Sequence, residues 1–308
     1  MAKKIAINGF GRIGRLTFRN LMKMDDVEVV AINDLTDNQT LAHLLKYDSA
    51  QGPFEGTVEA TDDKFIVNGK EIMALSERNP AALPWKEHGV DLVLECTGIF
   101  TAKEKAKIHL ENGASRVLVS APSAGADKTI VYGVNDDILT GDDLVVSNGS
   151  CTTNCLAPVA KVLNDAYGIA TGFMTTIHSY TGDQPTLDTM HSDLYRARAA
   201  ALSMIPTSTG AAKALGLVLP ELMGKLDGSS IRVPTPNVSC VDLKVVLDKT
   251  VTVEELNAKM EEMANGPLKG VLGYEARPLV SSDFNHNPAS ATFAPDQTKV
   301  LPGNLVRI

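Results

Sequence analysis

The segment Ser150-Cys151-Thr152-Thr153-Asn154-Cys155 carries the residues of this 308-residue chain best placed for covalent chemistry. It follows an apolar, strand-like run and opens a stretch of helical length that reaches to about residue 167. A thiol at a helix start sits beside amide N–H groups that no intrahelical carbonyl takes. Those groups stabilise the thiolate, the reactive form, and can also hold the oxyanion of a tetrahedral adduct. Cys151 is thus placed to attack a carbonyl carbon. Cys155, four residues on, shares its helix face and is either a resolving thiol or a small buried side chain. Cys96 and Cys240 stand apart, and no second closely spaced Cys or His pair accompanies the first, so a zinc site, and a metal site generally, is not expected.

A second signature lies near the start. Gly9-Phe10-Gly11-Arg12-Ile13-Gly14 follows a β-branched run at 3–7 and leads into residues 12–24, which have helical length and no proline. In this G-x-G-x-x-G arrangement glycines serve a tight turn, a close backbone approach to a pyrophosphate, and close packing of helix on sheet. The helix-start amides then face the phosphates. The next strand ends at Asn33-Asp34, so that Asp34 lies 20 residues (34 − 14) past the third glycine. A carboxylate there accepts from a ribose diol and repels the extra phosphate of NADP, which favours NAD.

The elements that must position these groups follow a regular rhythm. Strand-like runs at 3–7, 27–32, 90–95, 116–120 and 144–146 alternate with helical stretches at 12–24 and 102–112, which argues for a parallel, doubly wound sheet. Residues 57–75 interrupt it with a short strand pair around Asn68-Gly69, read as an inserted hairpin. After about residue 150 longer β-rich segments (169–180, 230–234, 239–247) mix with a helix at 253–264, the texture of an α+β domain. The polar stretch 181–198 is long for a connection and suits a binding or subunit-contact loop. The net charge of −8 gives no basic field for a nucleic acid, no run is long enough to span a bilayer, and four cysteines form no dense disulfide framework. A cytoplasmic protein with a small-molecule partner is expected.

The segment Ser147-Asn148-Gly149-Ser150-Cys151-Thr152-Thr153-Asn154-Cys155-Leu156-Ala157-Pro158 closely resembles the active-site signature of glyceraldehyde-3-phosphate dehydrogenases. The resemblance also covers residues 7–14, His178-Ser179-Tyr180-Thr181, 196–201, 208–213 and 232–239, in order along nearly the whole chain. It implies a Rossmann-type NAD-binding domain at 1–150 and an α+β catalytic domain with a large mixed or antiparallel sheet at 151–308. It implies glycolytic oxidation and phosphorylation of glyceraldehyde 3-phosphate to 1,3-bisphosphoglycerate through a thioester on Cys151, with His178 as the activating imidazole. By the same resemblance Thr181 and Arg232, with Arg196 nearby, hold the substrate phosphate, Ser150, Thr209 and Gly210 the inorganic phosphate, and Thr152 is a substrate- or phosphate-binding residue. Asn8, Gly9, Phe10, Gly11, Arg12, Ile13, Asp34, Arg78, Thr97 and Ser120 match cofactor-contact positions, and a homotetramer is implied. Read without the resemblance, Thr209 and Gly210 are a helix-starting turn, Arg232 a solvated strand residue, and His43, His88 and His109 surface or helix residues.

The sequence also departs from the family pattern. Gly149 stands where alanine is usual, Gln51 where histidine is common, Tyr195 where arginine and Met190 where proline are frequent. The chain stops at Val306-Arg307-Ile308, where relatives continue with a further strand, carrying an asparagine for the nicotinamide, and a last helix. A fragment that a separate C-terminal piece complements is therefore expected. The competing readings are an erythrose-4-phosphate dehydrogenase with water as acceptor, and a catalytically weakened redox or scaffold form.

Overall fold

The β-branched runs at the start form neighbouring parallel strands in a computed structural model that describes residues 2–308. The chain divides into two compact units, one of residues up to 130 with 138–149, the other of 131–137 with 150–308.

The first unit runs β1 (Lys3–Asn8), α1 (Arg12–Leu21), β2 (Val27–Asn33), α2 (Asn38–Lys46), β3 (Val58–Ala60), β4 (Lys64–Val67), β5 (Lys70–Leu75), α3 (Trp85–His88), β6 (Leu92–Glu95), α4 (Lys103–Ala106), α5 (Ile108–Glu111), β7 (Arg116–Val119), β8 (Lys128–Thr129) and β9 (Val145–Ser147). Their sheet has the order β3-β4-β5-β2-β1-β6-β7-β9-β8, and every pair from β5 onward is parallel. Order reverses on either side of β1, so loops leaving the C-terminal ends of β1, β2 and β6 meet at a switch point, the usual ligand crevice of such sheets.

Two readings of the sequence need correction here. Residues 57–75 are no independent insertion: they hold three strands, and β5 joins the main sheet parallel to β2, because its alternate residues Ile72 and Ala74 enter the same core as Ile32. The turn itself is as read, with both Asn68 and Gly69 at positive φ (51° and 78°). The stretch 102–112 is two short helices, since the Leu110 N–H bonds the Lys107 carbonyl three residues back, at 2.9 Å, and tightens the turn. His109 on α5 is fully buried rather than at the surface.

Two glycines of the first loop are sterically required. Gly9 has φ +93°, and a Cβ there would stand 2.7 Å from the Thr97 amide nitrogen; a Cβ on Gly14 would stand 2.1 Å from the Gly9 carbonyl oxygen. We expect Gly14→Ala to lower stability by about 1–3 kcal/mol, the usual cost of overpacking, read as a lower midpoint in urea unfolding. Phe10, between them, is fully buried against Phe18 and Phe65 and pins the loop to the core.

The second unit contains α6 (Cys151–Tyr167), β10 (Ile169–Ser179), β11 (Ile205–Thr207), α7 (Ala211–Val218), β12 (Leu226–Val233), β13 (Cys240–Leu247), α8 (Val253–Asn265), β14 (Leu272–Tyr274), β15 (Ala291–Phe293), β16 (Lys299–Leu301) and β17 (Leu305–Arg307). The main sheet has the order β11-β12-β10-β13-β17-β16, with β10 and β12 parallel and the other pairs antiparallel. One face is covered by helices: Leu156 and Leu163 of α6, Leu215 of α7 and Met260 of α8 bury with Met174, Leu243 and Val245 of the sheet. Residues 180–204 contain neither helix nor strand but are internally bonded, for example from the Ala200 N–H to the Pro185 carbonyl at 3.0 Å. Among the described residues no helix is long and apolar enough to cross a membrane.

Candidate active site

The chain turns into α6 through Gly149 at φ +65°, which explains why glycine is comfortable where alanine is usual. Ser150 then caps the helix, its Oγ accepting the Thr153 N–H at 3.1 Å, and Cys151 becomes the first helical residue, with no acidic side chain in the first turn. The eleven-residue strand β10 ends at His178-Ser179, bringing His178 Nε2 to 3.2 Å from Cys151 Sγ. His178 Nδ1 lies 2.6 Å from the Ser179 carbonyl oxygen. A carbonyl only accepts, so Nδ1 carries the ring proton and Nε2 turns a lone pair to the thiol.

Partial burial pushes the Cys151 thiol up. The hydrogen bond and charge of His178, followed by bonds from the Thr152 side chain and N–H, outweigh it and bring the pKa below the ordinary value. The other thiols go the opposite way: burial raises Cys155 to about 12 and Cys96 to about 11, and raises Cys240. Cys155 packs against the core of its unit, an environment for a side chain rather than a thiolate. Next to the site Val238, a β-branched residue, is held at φ +65°, and the Ser239 hydroxyl after it accepts the Ser179 N–H at 3.2 Å. Such strain persists only where the surroundings over-determine it.

The parallel register of β10 and β12 pairs His178 with Arg232, so both project from one side of the sheet. Arg232 Nη1 donates to the Ser179 carbonyl at 3.1 Å and to Thr181 Oγ1 at 2.9 Å. Thr181 donates in turn to Asp183, and Arg196 Nη1 reaches the other oxygen of Asp183 at 3.1 Å. Burial pushes Asp183 up, but the Thr181 hydroxyl and both guanidiniums hold it below the usual carboxylate range. Burial and the neighbouring Arg196 lower Arg232, while Asp183 and Cys151 partly restore it. Arg232 Nε is buried with no hydrogen-bond partner among the described residues, a donor left for an anion.

Cys151, His178, Thr181, Arg196 and Arg232 are therefore brought together, with Ser150 and Thr152 beside the thiol. Thr209 and Gly210 are not tied to them by any such bond. They start α7, where Thr209 Oγ1 accepts the Ala211 N–H at 3.2 Å and Gly210 is the N-cap. Asp183 and the Ser179 carbonyl were missed in the sequence. Their one local signal is their position inside, or just before, the long polar loop.

In the first unit the expected cofactor residues gather at the strand ends. Asp34 Oδ2 accepts the Phe10 N–H at 2.7 Å, which draws the carboxylate to the glycine loop. The first turn of α1 has no side-chain cap and no acidic residue, and a Cβ at Gly11 would meet nothing within 4 Å. An open, uncapped helix start beside a carboxylate fits a dinucleotide, pyrophosphate on the amides and ribose on the acid. Arg12, Ile13 and Arg78 are exposed, Thr97 and Ser120 half-buried, and Asn8 is buried with both ends of its amide bonded internally.

Comparison with known proteins bears on both units. Residues 3–103 match the family described as glyceraldehyde 3-phosphate dehydrogenase, NAD binding domain, and residues 150–308 the C-terminal domain of the same family. The glyceraldehyde-3-phosphate dehydrogenase of Cereibacter sphaeroides is 67% identical over 310 residues, covering 100% of this chain and 92% of that protein. Those of Xanthobacter flavus and Geobacillus stearothermophilus are 64% and 57% identical with the same coverage.

Proposed function

The chain belongs to the glyceraldehyde-3-phosphate dehydrogenase family, and we propose that it oxidises glyceraldehyde 3-phosphate with NAD and inorganic phosphate to 1,3-bisphosphoglycerate, a glycolytic step. The observation that carries this is the thiol–imidazole contact of 3.2 Å, with the ring tautomer set by the Ser179 carbonyl.

In this reading His178 Nε2 takes the proton of Cys151, and the thiolate adds to the aldehyde carbon. The new alkoxide is held by the Nε2–H now present and by the amides at the start of α6. The Nε2–H then passes its proton to the alkoxide to give the hemithioacetal hydroxyl, and the neutral His178 takes that proton back as the carbon loses hydride, which leaves a thioester on Sγ. When bound, NAD supplies the hydride acceptor; the amides of Gly11 to Ile13, together with Asp34, Arg78, Thr97 and Ser120, would hold it, while Gly9, Phe10 and Asn8, whose N–H groups are bonded internally, shape the turn beneath it. A phosphate oxygen attacks the thioester carbon, the C–S bond breaks, and Cys151 regains its thiolate. Thr181, Arg196 and Arg232 hold the phosphate carried by the aldehyde, and Ser150, Thr152, Thr209 and Gly210 the attacking one.

The test is NADH formation with and without phosphate. With phosphate, turnover is expected to continue; without it, at most one NADH per Cys151 forms, because the thioester has no acceptor. Multiple turnovers at an undiminished rate in phosphate-free buffer would instead favour an erythrose-4-phosphate-type enzyme with water as acceptor.

Two finer proposals accompany this reading. Leu187, Met190, Leu194, Leu202 and Met204 lie exposed along 180–204, Met190 by 97%, an apolar surface suited to a second copy and hence to a homotetramer. A cytoplasmic location agrees with four free thiols.

A further inference from the structure

Beneath the strand-end loops of the first unit runs a buried chain of hydrogen bonds whose centre, Trp85, His109 and Glu95, has no task in the chemistry above. Trp85, the single tryptophan, donates its indole N–H to His109 Nδ1 at 3.0 Å. An indole N–H only donates, so Nδ1 accepts and the ring proton sits on Nε2. Nε2 faces Glu95 Oε2 at 3.0 Å and donates to it. The same oxygen accepts Asn8 Nδ2 at 2.7 Å, while Oε1 accepts the Thr97 N–H at 2.8 Å and the Thr97 hydroxyl. That fixes the Asn8 amide, whose Oδ1 accepts Asn33 Nδ2 at 2.8 Å. Asn33 closes a two-way bond with the backbone of Glu77, at 2.8 and 2.9 Å. Trp85 and His109 are fully buried and Glu95 is 1% exposed.

The donors converge on one carboxylate. It receives four hydrogen bonds, and a neutral amide in its place would turn one N–H₂ toward two donors. What the bonds fix is a specific set of loops. Asn8 ends β1 and leads into the glycine turn, Asn33 immediately precedes Asp34, Glu77 immediately precedes Arg78, and Thr97 follows β6. A network serving packing alone has no reason to end beside the glycine turn, Asp34 and Arg78 and on Thr97 itself.

We propose that Glu95 is a positioning residue for the dinucleotide, holding these four loops in their binding arrangement, with His109 and Trp85 as its buried support. This rests on the reading of the first unit as the NAD site. Glu95 touches no reacting atom, so it acts on affinity and leaves the chemical step alone.

The experiment is NAD titration by calorimetry on the full chain without substrate, beside turnover at saturating NAD. Glu95→Gln is expected to raise the Kd for NAD about tenfold or more while saturated turnover stays within about twofold. A second pair separates hydrogen bonding from packing. His109→Gln offers a donor to Glu95 and an acceptor to Trp85 and is expected to bind NAD within about twofold of the parent; His109→Leu offers neither and is expected to weaken binding about threefold or more. If Glu95→Gln does not fold cooperatively, the His109 pair decides. Parent-like NAD affinity in folded Glu95→Gln, or equal shifts in both His109 variants, would overturn the inference while leaving the NAD reading intact. A parent chain that binds no NAD overturns both.

Discussion

Replacing Cys151 by serine is expected to remove NADH formation, by at least about 10⁴-fold, because no other group in the site can carry the acyl intermediate. A serine hydroxyl beside the same imidazole stays protonated at neutral pH, and an oxygen ester yields its acyl group to phosphate far less readily than a thioester. Cys151 is exposed at a helix start, and its contacts are polar, so folding is expected to be unchanged. NAD affinity, which draws on the other unit, is expected within about twofold of the parent. Turnover in Cys151→Ser above about one hundredth of the parent rate would sink the covalent route.

His178→Asn is expected to cost about 10²–10⁴-fold in turnover, the usual worth of a positioned general base, and to move a pH profile in a defined direction. In the parent the thiol is depressed below its ordinary value, its causes being opposing: burial raises, while the His178 bond and charge lower more strongly. The thiolate is therefore present at lower pH, and alkylation by iodoacetamide should reach half its maximal rate at a lower pH than for an ordinary free thiol. Without His178 the burial remains and its compensation is largely gone, so the midpoint moves up. Alkylation slows at pH 7 and the two proteins converge at high pH. Coincident alkylation profiles would show that the imidazole does not activate the thiol.

Local spacing made part of this legible. The turn at Gly9 to Gly14, the acid at Asp34, the Asn68-Gly69 hairpin and the thiol at a helix start each follow from a few adjacent residues, because a turn or a cap is decided within four or five positions. Contacts decided by distant chain were not readable. The partnership of β5 with β2, the burial of His109, and the convergence of Thr181 and Arg196 on Asp183 with Arg232 on Thr181 all depend on which strands come to lie side by side. The β-rich segment read from residue 230 begins four residues earlier, at Leu226, because Leu226 to Ser229 are held in β12 by pairing with Gly172 to Thr175 of β10. Three-residue strands such as β14 and β16 have too little sequence to declare themselves, and owe their form to their partners. The resemblance gave residue roles that composition could not, but it did not mark Glu95.

The contact between Cys151 and His178 spans 27 residues of chain and exists only once β10 has docked alongside α6. During synthesis the cysteine emerges first, into solvent and with no imidazole against it. Its acidity is then that of a free thiol, near pKa 8.5, so at neutral pH only a few per cent is thiolate. The nascent protein is thus shielded from peroxide and stray electrophiles by its own incompleteness, and the hazard of a reactive sulfur arrives together with the folded pocket that employs it.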